Sequence, residues 1–178
     1  MAAAGAVRSL LETDDGRLWV LTAGGLAVAT VANADPVRIS FHTFSQADGM
    51  SSATVLSMAK DASGGLWLGT SNGLDHIVGD RVERGPAALA GISINLLANG
   101  ANDRRALLIA TPDSLMQLEE ETLTSLTRRD LLPTGGIRSL LATSSGIWAV
   151  GRDSATLIRP DGTVTFAAGR NLPGTQIT

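Results

Sequence analysis

Short apolar runs alternate with clusters of Gly, Asp, Ser and Thr along the whole chain. Runs such as VRSLL from Val7, LWVLT from Leu18 and GLAVATV from Gly25 are too short for ordinary helices and have the length of strands. The clusters between them, TDDG, DASGG and TSSG, combine side chains that hydrogen-bond a turning backbone with Gly, which takes positive φ, and so predict hairpins. A third run follows a second Gly-containing turn, as in GLAVATV after Ala23-Gly24 and GLDHIV after Asn72. A fourth is read at VRISFHTF, DRVERG, TLTSLT and GTVTFAA, where alternation and β-branched or aromatic residues favour strands.

This pattern recurs. Aligned on tryptophan, VRSLLETDDGRLWVLTAGGLAV from Val7, VLSMAKDASGGLWLGTSNGLDH from Val55 and IRSLLATSSGIWAVGRDSATLI from Ile137 are copies of one unit. A degenerate copy from Ile94 carries Leu108 in the tryptophan's place, so the markers Trp19, Trp67, Leu108 and Trp148 are separated by 48, 41 and 40 residues. A period of this length belongs to helical repeats or to propeller blades, and the hairpin turns within each copy select blades. The expected fold is all-β, a β-propeller of about four four-stranded antiparallel blades at approximately 6–50, 51–90, 91–134 and 135–172, with 173–178 starting the next. Four blades are expected to form an incomplete propeller, an open arc whose first and last blades expose apolar outer faces.

The apolar strand, Asp-x-x-Gly, Leu-Trp-hydrophobic-Gly-Thr, two residues and Gly-Leu resemble the two-component regulator propeller repeat. Residues 55–74, VLSMAKDASGGLWLGTSNGL, match closely, and 7–26 match with Leu21 where Gly is usual. The copy at 137–158 keeps Trp148 but has Gly151 for the Thr and RDSATL for the Asn-Gly-Leu turn, and the copy at 94–118 keeps only Ala110, Thr111 and the spacing. The resemblance implies a periplasmic or extracytoplasmic sensor region ahead of a transmembrane helix and an output module, commonly a histidine kinase or a diguanylate cyclase. On that reading the chain is a non-catalytic ligand-sensing module of a bacterial signal-transduction protein, taking a small molecule or an oligosaccharide. Similar Gly-Leu-Trp hairpins occur in lyases of the virginiamycin B type, so a propeller lyase and a protein-interaction scaffold are the alternatives.

Composition narrows the partners. With 14 Lys+Arg against 17 Asp+Glu and a net charge of −3, the chain offers no basic field for a nucleic acid, and only Lys60 is lysine. It has no cysteine, which excludes disulfides and thiolate metal sites. The start, MAAAGAVRSLLETDDG, lacks the charged and apolar regions of a signal peptide, and no run of about 18 apolar residues forms a membrane segment. Because a repeat begins just after Met1 and NLPGTQIT opens another, the chain reads as cut from a longer one.

The sequence presents no catalytic or metal constellation, and no cofactor is expected. His42 and His76, the only histidines, have no acidic or nucleophilic residue at a spacing typical of a triad or a zinc site. Asp14, Asp15 and Asp61 are read as turn caps, because their turns supply too few oxygens for calcium. Gly24-Gly25 and Gly64-Gly65 lead into strands, whereas a phosphate cradle leads into a helix. Trp19, Trp67 and Trp148 are read as packing between blades, against the alternative of a sugar-stacking platform. QLEEETLTSLTRRD is read as a hairpin tip carrying solvated charges. In a four-stranded blade the loop between blades lies at the same end as the turn joining the second and third strands. Ligand contacts are therefore expected from 45–52 with 71–73, and from 128–136 with 112–114 and 152–154, above all from Asn72, Asp113, Arg129, Arg152 and Asp153.

Overall fold

A computed structural model describes residues 5–32, 38–101, 105–127, 131–133 and 135–167. They form sixteen strands in four antiparallel sheets of four, each in simple meander order. The chain divides into two compact units, Met1–Ser93 and Ile94–Thr178. In the first unit, sheet 1 contains β1 (Val7–Glu12), β2 (Leu18–Thr22), β3 (Gly25–Ala32) and β4 (Arg38–Phe44). Sheet 2 contains β5 (Val55–Lys60), β6 (Leu66–Thr70), β7 (Gly73–Val78) and β8 (Arg81–Arg84). In the second unit, sheet 3 holds β9 (Leu96–Asn99), β10 (Ala106–Ala110), β11 (Leu115–Glu119) and β12 (Thr122–Thr127). Sheet 4 holds β13 (Ser139–Thr143), β14 (Gly146–Val150), β15 (Ser154–Arg159) and β16 (Gly162–Ala167). The expected next strand at 173–178 lies outside the described residues.

Each hairpin follows from the residues read as turn formers. In the turn after β6 the Thr70 hydroxyl accepts from Asn72 N at 3.1 Å and donates to Gly73 O at 2.9 Å, closing the turn with a side chain. Thr22 and Thr111 do the same in their sheets, which explains the threonine of the repeat. Ahead of the apolar-Trp pair, Gly65 lies so close beneath β7 that a Cβ would stand 2.7 Å from Ile77 O. Gly146, the corresponding residue of sheet 4, would meet Ile158 O at 2.6 Å. The acidic stretch after Gln117 is the hairpin of β11 and β12, with Glu120 at φ 55 in its turn.

Within the first unit, Trp19, Leu21, Leu26, Val28 and Phe44 of sheet 1 pack on Met50, Val55, Leu66, Leu68 and Ile77. The Trp19 and Phe44 rings lie 5.4 Å apart. Within the second unit, Ala110 and Leu115 of sheet 3 pack on Ile137, Ala149 and Ile158. In both units the face carrying the marker residue, Trp19 or Leu108, looks toward the following sheet. The expectation for the tryptophans holds for Trp19, which is 2% exposed, while Trp67 and Trp148 have different surroundings. Both are partly exposed and lie on the sheet face turned away from the core of their own unit. Trp67 stacks on His76, with centroids 3.9 Å apart and planes 12° apart, and Trp148 lies against Phe166 at 5.6 Å.

Candidate functional site

At the loop end of the first unit, the connection from β4 to β5 is built around a buried carboxylate. Ser45 caps a 3₁₀ turn, Gln46–Asp48, through a reciprocal capping box, and Gly49 ends the turn at φ 104. The chain then buries Met50 and brings Ser51 to Asp75, whose side chain is wholly covered. Ser51 N donates to Asp75 Oδ2 at 2.8 Å, and the Ser51 hydroxyl donates to Oδ1. Arg84 donates to the same hydroxyl at 3.2 Å, so a cation stands one bond removed from the carboxylate.

Asn72 sits exposed on this framework. Its side-chain amide donates to Ser51 O at 3.2 Å, and its backbone carbonyl accepts from Gly91 N at 3.2 Å. Ser52 and Ser71 hydroxyls meet at 2.8 Å beside it. The β6–β7 turn, the connection entering sheet 2 and the connection leaving it are thus tied together at one predicted ligand contact. In the second unit, Asp113 lies exposed in the β10–β11 turn, and Arg152 and Asp153 lie exposed in the β14–β15 turn, the equivalent turns of sheets 3 and 4. Gly135 lies next to Arg152, as expected for a connection at that end of the sheets. Arg129 falls outside the described residues.

The opposite end of the sheets holds the turns read as structural. Trp19 Nε1 donates to the Thr13 hydroxyl at 3.0 Å, and that hydroxyl donates to Asp15 at 2.6 Å. Arg17 pairs with Asp15 and reaches from sheet 1 to the β7–β8 turn, donating to Asp80 and Gly79 O at 2.8 Å each. In sheet 2 the Ser63 hydroxyl donates to Asp61, and Asp61 Oδ2 lies 3.2 Å from His76 Nε2. Burial works against ionisation of Asp61, but the Ser63 hydroxyl, the charge of His76 and the turn amides outweigh it and hold the carboxyl below its ordinary 3.8. The apparent isolation of His76 in the sequence is therefore corrected, because strand register carries Asp61 to it across fifteen residues.

His42 also has acidic company. It lines a cleft of about 760 Å³ in the first unit together with Asp15, Arg17, Thr30, Asp48 and Asp80. Asp48 is held below its ordinary pKa by the Ser45 hydroxyl and amide, with a smaller contribution from His42. Among the described residues no three His, Asp or Glu side chains are grouped so as to hold a metal ion, and no helix is long and apolar enough to cross a membrane.

Sequence reasoning missed Asp75 and Ser51. The signal was an acidic residue in the apolar strand GLDHIV, at the position occupied by Ala27 in sheet 1 and Thr156 in sheet 4.

Four-stranded meander sheets whose marked faces pack on the next sheet define the blades of a β-propeller. The family model described as "Two component regulator propeller" matches residues 3–24 and 49–72, the stretches that hold the first two tryptophan hairpins. No curated protein sequence matches it. Among solved structures, the extracellular domain of the hybrid two-component system BT3049 from B. thetaiotaomicron is similar with a TM-score of 0.77 at 20% identity, over 96% of this chain and 24% of that one. The extracellular domain of BT4673 from the same organism gives 0.72 at 18% identity, over 96% and 24%. Virginiamycin B lyase from Staphylococcus aureus gives 0.66 at 15% identity, over 92% of this chain and 56% of the lyase. These likenesses concern the fold, and the chain spans about a quarter of the two extracellular domains.

Proposed function

We propose that the chain is part of the extracytoplasmic sensor propeller of a bacterial signal-transduction protein. It binds a small molecule or an oligosaccharide at the loop end of its blades and passes the signal to an output module in the same longer polypeptide. No catalysis is asked of it. The observation that carries the reading is that the expected contacts are exposed in equivalent turns, Asn72 in the β6–β7 turn of the first unit and Asp113, Arg152 and Asp153 in the β10–β11 and β14–β15 turns of the second. The turns at the opposite end of sheets 1 and 2 are closed on themselves by the Thr13–Asp15 and Ser63–Asp61 hydrogen bonds. The family repeats and the fold shared with extracellular domains of two-component systems support the signalling role and the extracytoplasmic location.

The experiment is calorimetric titration of the chain with a panel of oligosaccharides and small polar metabolites, repeated on Asn72→Ala and Arg152→Ala. The reading expects a ligand whose affinity drops at least about tenfold in one variant with the melting temperature kept, a loss of about 1.4 kcal/mol.

A propeller lyase is the second reading, favoured by the His76–Asp61 pair, which places a carboxylate beside a histidine base. Both side chains are largely covered, and the His76 ring lies against Trp67. That arrangement suits a clasp in the hairpin better than a base open to substrate.

A further inference from the structure

The cleft of about 760 Å³ in the first unit runs along the blade and reaches both of its ends. Its lining starts in the β1–β2 and β7–β8 turns with Asp15, Arg17 and Asp80, follows β3 and β4 past Val28 and His42, and finishes at Asp48 in the connection to β5. His42 pairs with Val28 across the strands, and Val28 with Trp19, so the imidazole lies on the face of sheet 1 that packs toward sheet 2. Both sheets of the unit thus contribute to the cleft, whereas Asn72, Asp113, Arg152 and Asp153 do not line it.

The two ends are acidic and are built separately. At one end a single guanidinium serves two carboxylates: Arg17 Nε lies 3.1 Å from Asp15 Oδ2, and its Nη1 lies 2.8 Å from Asp80 Oδ1. One negative charge is left over there, and the Asp80 side chain is 85% exposed. At the other end the Ser45 amide and hydroxyl both donate to Asp48 Oδ2, at 2.8 and 2.7 Å, which fixes that carboxylate without neutralising it. Between the ends stand Val28 and the His42 ring, braced edge-on by Phe44 at 4.8 Å.

Among the described residues no three acidic or histidine side chains converge so as to hold a metal ion, so the separated carboxylates do not form a cage for one. They suit two cationic groups held apart by an alkyl chain, which crosses Val28 and the imidazole while each end meets a carboxylate. We propose that the cleft is a binding site for an aliphatic diamine or polyamine, with one ammonium at Asp48 and another at the Asp15–Arg17–Asp80 end. Joining two weak ion pairs through one ligand makes the second contact intramolecular, and a single amine gains nothing from it.

The test is calorimetric titration of the chain with spermidine and with n-butylamine in low-salt buffer, where surface charges are least screened. It is repeated on Asp48→Asn and Asp80→Asn, which keep the side-chain shape, and on Glu121→Gln, which removes an exposed charge in the second unit. Thermal melts verify that each variant folds. Spermidine is expected to bind saturably and at least about tenfold more tightly than n-butylamine. Each aspartate variant should weaken spermidine by about threefold or more, and Glu121→Gln should bind it as the parent does. Four results would each overturn the proposal: no saturable binding of spermidine, equal affinity for the two amines, aspartate variants that bind like the parent, or an equal loss in Glu121→Gln.

Discussion

Asp61 Oδ2 lies 3.2 Å from His76 Nε2, and the far face of that imidazole system is closed by the Trp67 ring stacked upon it. Since the Asp61 carboxyl is held below its ordinary 3.8, ionised Asp61 is favoured in the folded state, and its contribution to stability is complete above that pH. The contribution is lost as pH falls through the lower folded-state value. Asp61→Asn should therefore lower the melting temperature at neutral pH, and the gap to the parent should close in acid. Melts recorded between about pH 2 and 7 check this, and a gap that is constant over the range would contradict it.

Asp75 accepts from both donors of Ser51, its amide and its hydroxyl, in a fully buried place. Asp75→Ala strands a buried amide and hydroxyl, and should cost about 3 to 5 kcal/mol in chemical denaturation. Asp75→Asn keeps an acceptor for one of them and should cost less than Asp75→Ala. Equal losses would mean that the carboxylate's acceptor geometry is irrelevant to the loop.

Trp19 and Trp148 hold the same repeat position with different surroundings, one sealed between sheets and one partly exposed. Trp19→Ala should cost about 3 to 5 kcal/mol and Trp148→Ala less than half as much in the monomeric chain. Parallel denaturation curves decide it.

Ser57 presents the opposite case. Its hydroxyl is buried and, among the described residues, has no hydrogen-bond partner. Removing the oxygen removes a desolvation penalty, so Ser57→Ala should raise stability by up to about 1 kcal/mol, measurable as an upward shift in melting temperature.

The strands and hairpins were legible because their causes are local: a Thr two residues from the amide it caps, a Gly under a crossing strand, a period-two alternation. The pairing of Asp61 with His76 and of Asp75 with Ser51 was not, because strand register joins partners 15 and 24 residues apart. Arg17 reaches still further, 63 residues to Asp80. The fate of each tryptophan escaped the repeat pattern for a related reason. Position within a repeat fixes the face on which Trp19, Trp67 or Trp148 lies, whereas burial depends on what lies against that face. The predicted ligand residues were placeable because turn order alone sets the end of the sheet at which Asn72, Asp113, Arg152 and Asp153 emerge.

The most direct test of the proposed function compares output signalling, in the longer polypeptide which that proposal calls for, when the two ends of the blades are altered separately. Asn72→Ala and Arg152→Ala change the loop end, and Asp15→Asn and Asp61→Asn change the other, with thermal melts of the chain recorded for all four. Ligand-dependent output should fall in the loop-end variants while their melting temperatures stay near the parent's, and the opposite-end variants should lose stability but respond normally when folded. Unchanged output from Asn72→Ala and Arg152→Ala, with signalling lost instead from folded Asp15→Asn or Asp61→Asn, would contradict the account.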